Sequence, residues 1–329
     1  MPAFAWNTPQ WHYKAEDIAH HHADRIKGRT VLITGVAQGS LGQCFCTSIA
    51  PYSPKTLILA GRSPEKLELC QKELHSIAPD VSTRVLHLDL GDFDQVRKAA
   101  DEVNGWDDVP VIDVLVNNAG LSDGSGLKII DGIEQHFRIN HLGHFLFTNL
   151  IMAKVVKAAE QNGEARIVNV SSRGHVISDI RWDDLTLEKL DPWNFMPCYG
   201  QSKTANILFS VSLAEKLASK NVQAFSLHPG SAWTGLITRL PTEELMARGW
   251  ADKDRNPTDS EKMHWKTMSQ GTSTHVTAAF DPSISEHSGS YLQDNQIETE
   301  DVKPYALDKN SAERLWKLSE ELVRQRFNI

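Results

Sequence analysis

Tyr199 and Lys203 stand four positions apart in "NFMPCYGQSKTANILF" (194–209), where a proline-containing loop becomes an apolar-periodic segment. A free phenol ionises near pH ~10, so it is a poor base at neutral pH unless an ammonium one helical turn away favours the phenolate. Such a pair can move a proton to or from an alcohol or carbonyl oxygen. Spacing alone does not decide the matter, because any i,i+4 pair on a helix surface shares it, and Tyr305 also precedes Lys309 by four. Position relative to the strands separates the two pairs. The apolar run "RIVNV" leads into Ser171 and Ser172 before the helical pattern that holds Tyr199, so a hydroxyl and a phenol project from one sheet edge. Tyr305 follows Pro304 in a polar stretch beyond the last strand and reads as surface structure.

The elements that must position these residues alternate from residue 30 onward. "TVLIT" (30–34), "TLILA" (56–60), "TRVLHL" (83–88), "VIDVLV" (111–116), "RIVNV" (166–170) and "VQAFSL" (222–227) read as strands, with helical segments such as 63–77 between them. Almost continuous apolarity suits a sheet covered on both faces and therefore parallel. The fold class is α/β, a Rossmann-type doubly wound parallel sheet in three layers, αβα. Residues 1–29 read as a polar helical extension, and residues 30–329 as one domain with substrate-loop insertions at about 173–198 and 235–268.

In an open sheet of this kind ligands sit beyond the carboxyl ends of the strands. Gly35, Gly39 and Gly42 follow the first strand and precede a helix, which lets the backbone turn close to a pyrophosphate and offers it unpaired N–H groups. The second strand ends in "LAGRS", where Arg62 stands in place of the acidic residue that would bind a ribose 2′-hydroxyl. A guanidinium suits a 2′-phosphate, so NADP(H) is expected over NAD(H). Asp89, followed by Leu90, ends the third strand, either to accept from an adenine amino group or to cap a turn. "VNNAG" brings Asn118, Ala119 and Gly120 to the fourth strand's end, suited to close passage of a cofactor ribose or to a plain Asn-Gly turn.

A net charge of −8 and a pI near 6.0, with no basic stripe, argue against nucleic-acid binding. No apolar run reaches membrane-spanning length and the N-terminus lacks targeting composition, so the expected compartment is the cytoplasm. Four cysteines make no disulfide framework. His20–His22 read as a solvated helix face rather than a metal site, because consecutive helical residues diverge, and no metal is expected. Trp182, Trp193, Trp233, Trp250 and Trp265 in the inserted loops suggest a hydrophobic substrate.

"TGVAQGSLG", "NNAG", "RINHLGHF", "NVSS", "YGQSK" and "HPGSAWT", in that order over about residues 29–295, resemble the short-chain dehydrogenase/reductase family. "NHLGHF", "YGQSKTANILF" and "KTMSQGTST" are most similar to its retinol-dehydrogenase-like branch, which includes reductases of fungal secondary metabolism. The resemblance implies the strand order 3-2-1-4-5-6-7. It makes Tyr199 the proton donor in ketone reduction and Lys203 its partner and the holder of the ribose hydroxyls. Ser172 then binds the substrate oxygen, and Asn140 supports a water chain to the lysine, although without the resemblance it reads as a helix-interior amide bonded to backbone. The glycine loop is one residue longer than the family's common form between its last two glycines, and Gln38, Gly39, Ser40 and Leu41 fall at the phosphates. Pro229, Gly230, Ser231 and Thr234 match the stretch that receives the carboxamide, whereas His228 belongs to the turn. Cys198 reads as a small packed residue rather than a reactive thiol. The implied activity is NADP(H)-linked interconversion of a ketone or aldehyde and an alcohol on a hydrophobic small molecule, reduction favoured. The alternative is a cofactor-binding scaffold with a non-redox or regulatory role. Subunit pairing is expected through the helices at 140–160 and 199–218, giving a homo-oligomer.

Overall fold

The structure is a computed structural model and describes residues 10–190, 193–235, 237–238, 240–259 and 264–329. The six apolar runs become β1 (Thr30–Thr34), β2 (Thr56–Gly61), β3 (Ser82–His87), β4 (Val114–Asn117), β5 (Ala165–Val170) and β6 (Val222–His228). β4 starts later than its apolar run. Just before it, the Asp113 carboxylate accepts from the Thr30 amide at 2.8 Å and from the Arg29 guanidinium at 2.9 Å.

A seventh strand, β7 (Tyr291–Gln293), adds to β6, and β8 (Gln296–Ile297) closes that edge, giving the order β8-β7-β6-β5-β4-β1-β2-β3. Strands β1 to β7 pair parallel and only β8 runs antiparallel. The 3-2-1-4-5-6-7 order therefore holds, extended by a hairpin strand. Asp294 and Asn295 both take positive φ (53° and 64°), which suits a two-residue hairpin turn.

Successive side chains of a strand face opposite ways, and this sorts the helices into layers. Val31 and Ile33 face a core shared by α1 (Ala15–His21), α2 (Leu41–Ile49), α3 (Pro64–Ile77) and, further along the chain, Met268–Phe280. Leu32 faces the other core, built with α4 (Phe93–Asn104), α5 (Gly143–Leu150), α6 (Met152–Asn162), α7 (Phe195–Lys216) and the C-terminal Lys309–Leu322. After the short α8 (Thr242–Ala247), Met268–Phe280 is α9 and Lys309–Leu322 is α10.

Three sequence expectations change here. The N-terminal segment is polar on its outer side, but Ala15, Ile18 and Ala19 of α1 are buried against α2 and α9, and the Ala15 amide donates to Ser269 Oγ at 3.0 Å. His22 is not solvated: it lies 3.9 Å from Asp281, and burial lowers its pKa to about 4. The face expected to pair subunits is covered from within the chain, because α10 packs along α7 and sets Trp316 edge-on to Phe145 at 4.9 Å. Tyr305 is committed elsewhere, its hydroxyl donating to the His175 carbonyl at 2.7 Å, while Lys309 pairs with Glu215 at 2.8 Å.

Candidate active site

The glycine loop leaves β1 at Gly35, whose φ of +77° favours glycine. A methyl there would fall 2.7 Å from Ala119 Cα, and one at Gly42 would fall 2.9 Å from the Gly35 carbonyl oxygen. Both contacts fix how closely loop, helix and β4 end approach one another. Thr34 secures the crossing: its hydroxyl accepts from the Asn118 and Ala119 amides at 3.0 and 2.9 Å, and Asn118 Nδ2 donates to its carbonyl at 2.8 Å. Ser40 caps α2 by accepting from the Gln43 amide at 3.1 Å. Ser40 Oγ also accepts from the Ala37 amide at 3.0 Å, and Gln43 Oε1 accepts from the Gly39 amide at 2.6 Å, so the loop is held to the first turn of α2, the kind of terminus that suits a phosphate.

The groove holds about 490 Å³ and runs over the carboxyl ends of β1 to β5. Gly35, Gln38, Gly39, Ser40 and Leu41 line one part of it, and Asn118, Ala119 and Gly120 another. Arg62 lies at its outer end with Ser63 and Lys66. Sequence reading missed Lys66, which α3 carries one turn after Arg62, because a lysine on a polar helix face gives no signal of its own. Asp89 and Leu90 also line the groove, and one Asp89 carboxylate oxygen accepts from the Gly91 amide at 2.9 Å, which is the turn-capping alternative.

β5 delivers Ser171 and Ser172, and α7 delivers Tyr199 and Lys203. This helix begins at Phe195, earlier than expected, because Asn194 caps it by accepting from the Met196 amide at 2.9 Å and Pro197 fits the first turn, where no N–H partner is needed. Ser171 Oγ donates to the Lys203 carbonyl at 2.7 Å, which locks the helix to the end of β5. Lys203 Nζ donates to the Val170 carbonyl at 3.1 Å and lies 5.5 Å from the centre of the Tyr199 ring. Burial draws the ammonium pKa down to about 8. Burial pushes the Tyr199 phenol up from its ordinary value, while a side-chain hydrogen bond with Ser172 works against that rise.

Two glycines not singled out in the sequence make this approach possible. A methyl at Gly174 would lie 2.7 Å from Tyr199 Cε1, and one at Gly200 would lie 2.8 Å from the Gly174 carbonyl. Asn140 sits in a π-helical turn, Phe137–Leu142, that leads into α5. Its side chain clamps Leu121, accepting from the amide at 2.7 Å and donating to the carbonyl at 3.0 Å, with a further bond to Ser202 Oγ at 2.9 Å. Gly120 lies between Asn140 Oδ1 and Lys203 Nζ, which are 3.8 and 3.5 Å from where its side chain would begin.

A second cavity of about 480 Å³ opens on the far side of Tyr199. Tyr199, Ser171, Leu41, Pro229 and Thr234 line both spaces, whereas Ser172, Gly230 and Ser231 face the second. Phe195, Met196, Ile237, Leu240, Trp250 and Trp265 supply its apolar wall. Of the five tryptophans expected there, only these last two line it. Trp182 belongs to the main core under the Arg314 guanidinium, 4.2 Å from its ring, because its loop folds back toward α10. Trp193 and Trp233 buttress the wall from behind, Trp233 edge-on to Trp265 at 5.0 Å. Cys198 is buried, which pushes its thiol up to about 12 and fits a packed residue. His228 ends β6 and lines the cavity, with burial holding its pKa near 3.

Comparison with known proteins gives the arrangement its family. Residues 29–182 match the family model described as short chain dehydrogenase. The chain is 34% identical over 315 residues to retinol dehydrogenase 14 of Homo sapiens, covering 91% of this chain and 87% of that one. The chain belongs to the short-chain dehydrogenase/reductase family. Within it the chain matches the retinol-dehydrogenase-like branch, and it is also similar to the fungal short-chain dehydrogenase/reductase prx1 of Penicillium rubens, 30% identical with coverage of 91% and 86%. A crystal structure of an uncharacterised protein from Mycobacterium Paratuberculosis superposes with a TM-score of 0.67 at 28% identity, covering 93% of this chain and 98% of that one. As a short-chain dehydrogenase/reductase, the chain is an oxidoreductase of a family that binds nicotinamide cofactors and acts on small carbonyl or alcohol substrates. No single helix among the described residues is long and apolar enough to cross a membrane.

Proposed function

We propose that this protein is an NADP(H)-dependent reductase of a hydrophobic ketone or aldehyde, working in the cytoplasm as one domain with its N-terminal segment built in. The observation that carries this reading is Tyr199, whose ring stands in the wall between the dinucleotide-shaped groove and the apolar cavity, with Ser172 and Lys203 on either side. The groove fits the cofactor. Gly35 lets the loop pack directly on Ala119, the start of α2 suits a pyrophosphate, and Arg62 with Lys66 suits a 2′-phosphate. The bound nicotinamide supplies the hydride.

The chain's own residues supply the proton and the orientation. Ser172 donates a hydrogen bond to the carbonyl oxygen and holds it beside the phenol. Tyr199, kept protonated by burial, gives that oxygen its proton as negative charge develops on it. Lys203 holds the ribose hydroxyls and, while charged, stabilises the phenolate left behind. Asn140 keeps the Leu121 backbone and the Gly120 gap in place, where a water can link the amide to the ammonium. Pro229, Gly230, Ser231 and Thr234 receive the carboxamide side of the ring.

Cofactor choice is tested by following NADPH and NADH consumption across a panel of aromatic and aliphatic carbonyls. NADPH turns over with the lower KM, and Arg62→Asp raises that KM by about tenfold with little change for NADH. An unchanged NADPH KM in Arg62→Asp would remove the basis for the NADP(H) preference.

A further inference from the structure

The second cavity carries charge of one sign. Among its described lining residues are two guanidinium groups, Arg173 and Arg248, and no carboxylate. The His228 imidazole is held neutral by burial. Arg173 sits toward solvent, its side chain 56% exposed and 3.4 Å from Asp301. Arg248 is placed differently. Only a quarter of its side chain is exposed, and its guanidinium lies 5.4 Å from the Phe195 ring centre and 5.1 Å from that of Trp250. Both rings belong to the cavity wall.

Glu244 holds the back of this guanidinium through a single oxygen, accepting from Nε at 3.1 Å and from Nη2 at 2.7 Å. Its second oxygen faces Gly124 rather than the arginine, 3.4 Å from where a Gly124 side chain would start. A guanidinium has five N–H donors in a fixed plane. The two Nη1 donors have no protein acceptor among the described residues. An apolar cavity thus contains a cation placed against two rings and one carboxylate, with donors unmatched among the described residues. Such pre-organisation is what makes arginine suited to carboxylates, since little freedom is lost when the ligand binds.

We propose that the substrate is a hydrophobic carbonyl compound that also carries a carboxylate, bound by Arg248 through Nη1 at a point separate from the reacting oxygen. The proposal rests on the reading of this cavity as the substrate site. The apolar wall takes the body of the molecule, Ser172 and Tyr199 take the carbonyl, and Arg248 sets which end enters first. Arg173, exposed and already near Asp301, adds charge at the mouth but no fixed geometry.

The test is equilibrium dialysis of para-benzoylbenzoate against its methyl ester, in the presence of NADP⁺ so that neither ketone is reduced. The acid binds about tenfold tighter than the ester to the native protein. The ratio falls to near one in Arg248→Met and is partly restored in Arg248→Lys, which keeps the charge but not the planar fork. Equal binding of acid and ester by the native protein would overturn the proposal. So would a ratio kept in Arg248→Met but lost in Arg173→Met. A general loosening of the cavity in Arg248→Met weakens both ligands and leaves the ratio unchanged, which also counts against it. Failure of the oxidoreductase reading shows separately, as absence of NADPH consumption with either probe, because the ratio is read from binding alone.

Discussion

At the residue scale the site depends on two groups that burial moves in opposite directions. Burial draws Lys203 from 10.5 to about 8 and pushes the Tyr199 phenol up. Between those two lysine values the unfolded chain binds a proton at Lys203 that the folded chain does not, so cofactor-free stability rises with pH across that window. Lys203→Met removes the penalty and melts higher than the native protein near neutral pH, with the difference shrinking as the pH rises from about 8 and gone above 10.5. Activity runs the other way. Carbonyl reduction loses kcat/KM as pH rises through about 8, because the ammonium beside Tyr199 loses its charge. A pH profile flat across that range would show that the Lys203 charge does not contribute.

The same scale shows what a sequence can and cannot reveal. Ser172, Tyr199 and Lys203 were legible because each is tied to an element end: a serine pair closing an apolar strand, and a tyrosine in the helix that follows. Gly174 and Gly200 were not, since their role is to let a loop carbonyl and a ring come within contact of a helix, and only three-dimensional approach creates that need. The Trp182 assignment failed for a related reason. Loop length placed it near the substrate, but a cation on a distant helix, Arg314, decides where its ring rests.

At the element scale, strands β1 to β6 were legible because short runs rich in aliphatic and β-branched residues suit a covered strand, although β3, at the sheet edge, is only partly buried. β7 has only three residues, too few to show a period, and β8 only two. The π-helical turn holding Asn140 has no pattern that separates it from an ordinary helix. The start of α7 was obscured by Pro197, which reads as a breaker until its place in the first turn is seen. The glycine loop is the element most sensitive to a single change. Gly35→Ala forces a side chain onto a φ of +77° and toward Ala119 Cα at 2.7 Å. It weakens NADPH binding by at least about tenfold and lowers the melting temperature, by strain that typically costs about 1–3 kcal/mol. A variant that bound NADPH normally would show that loop and β4 end need not approach so closely.

At the scale of the whole molecule, α10 occupies the face through which partner subunits were expected. Ala312, Leu315, Trp316 and Ser319 are buried there, Ser319 Oγ lies 2.8 Å from His141 Nε2, and Lys216 pairs with Glu313 at 3.0 Å. The chain is predicted to sediment as a 36.8 kDa monomer. Deleting residues 309–329 would expose Phe145 and Phe209, which Trp316 now covers, and produce self-association. A native dimer that dissociates on substitution along α7 would contradict this arrangement.

The central claim is that Tyr199 delivers the proton from its place between the two cavities, and Tyr199→Phe tests it most directly. The measurement is steady-state NADPH oxidation with a reactive carbonyl, beside NADPH binding by the same protein. The account predicts unchanged cofactor binding and a fall in kcat of about 10²–10⁴-fold, the usual contribution of a positioned acid. Turnover that survived the substitution unchanged would contradict it, and NADPH binding without turnover in the native protein would favour a cofactor-binding scaffold instead.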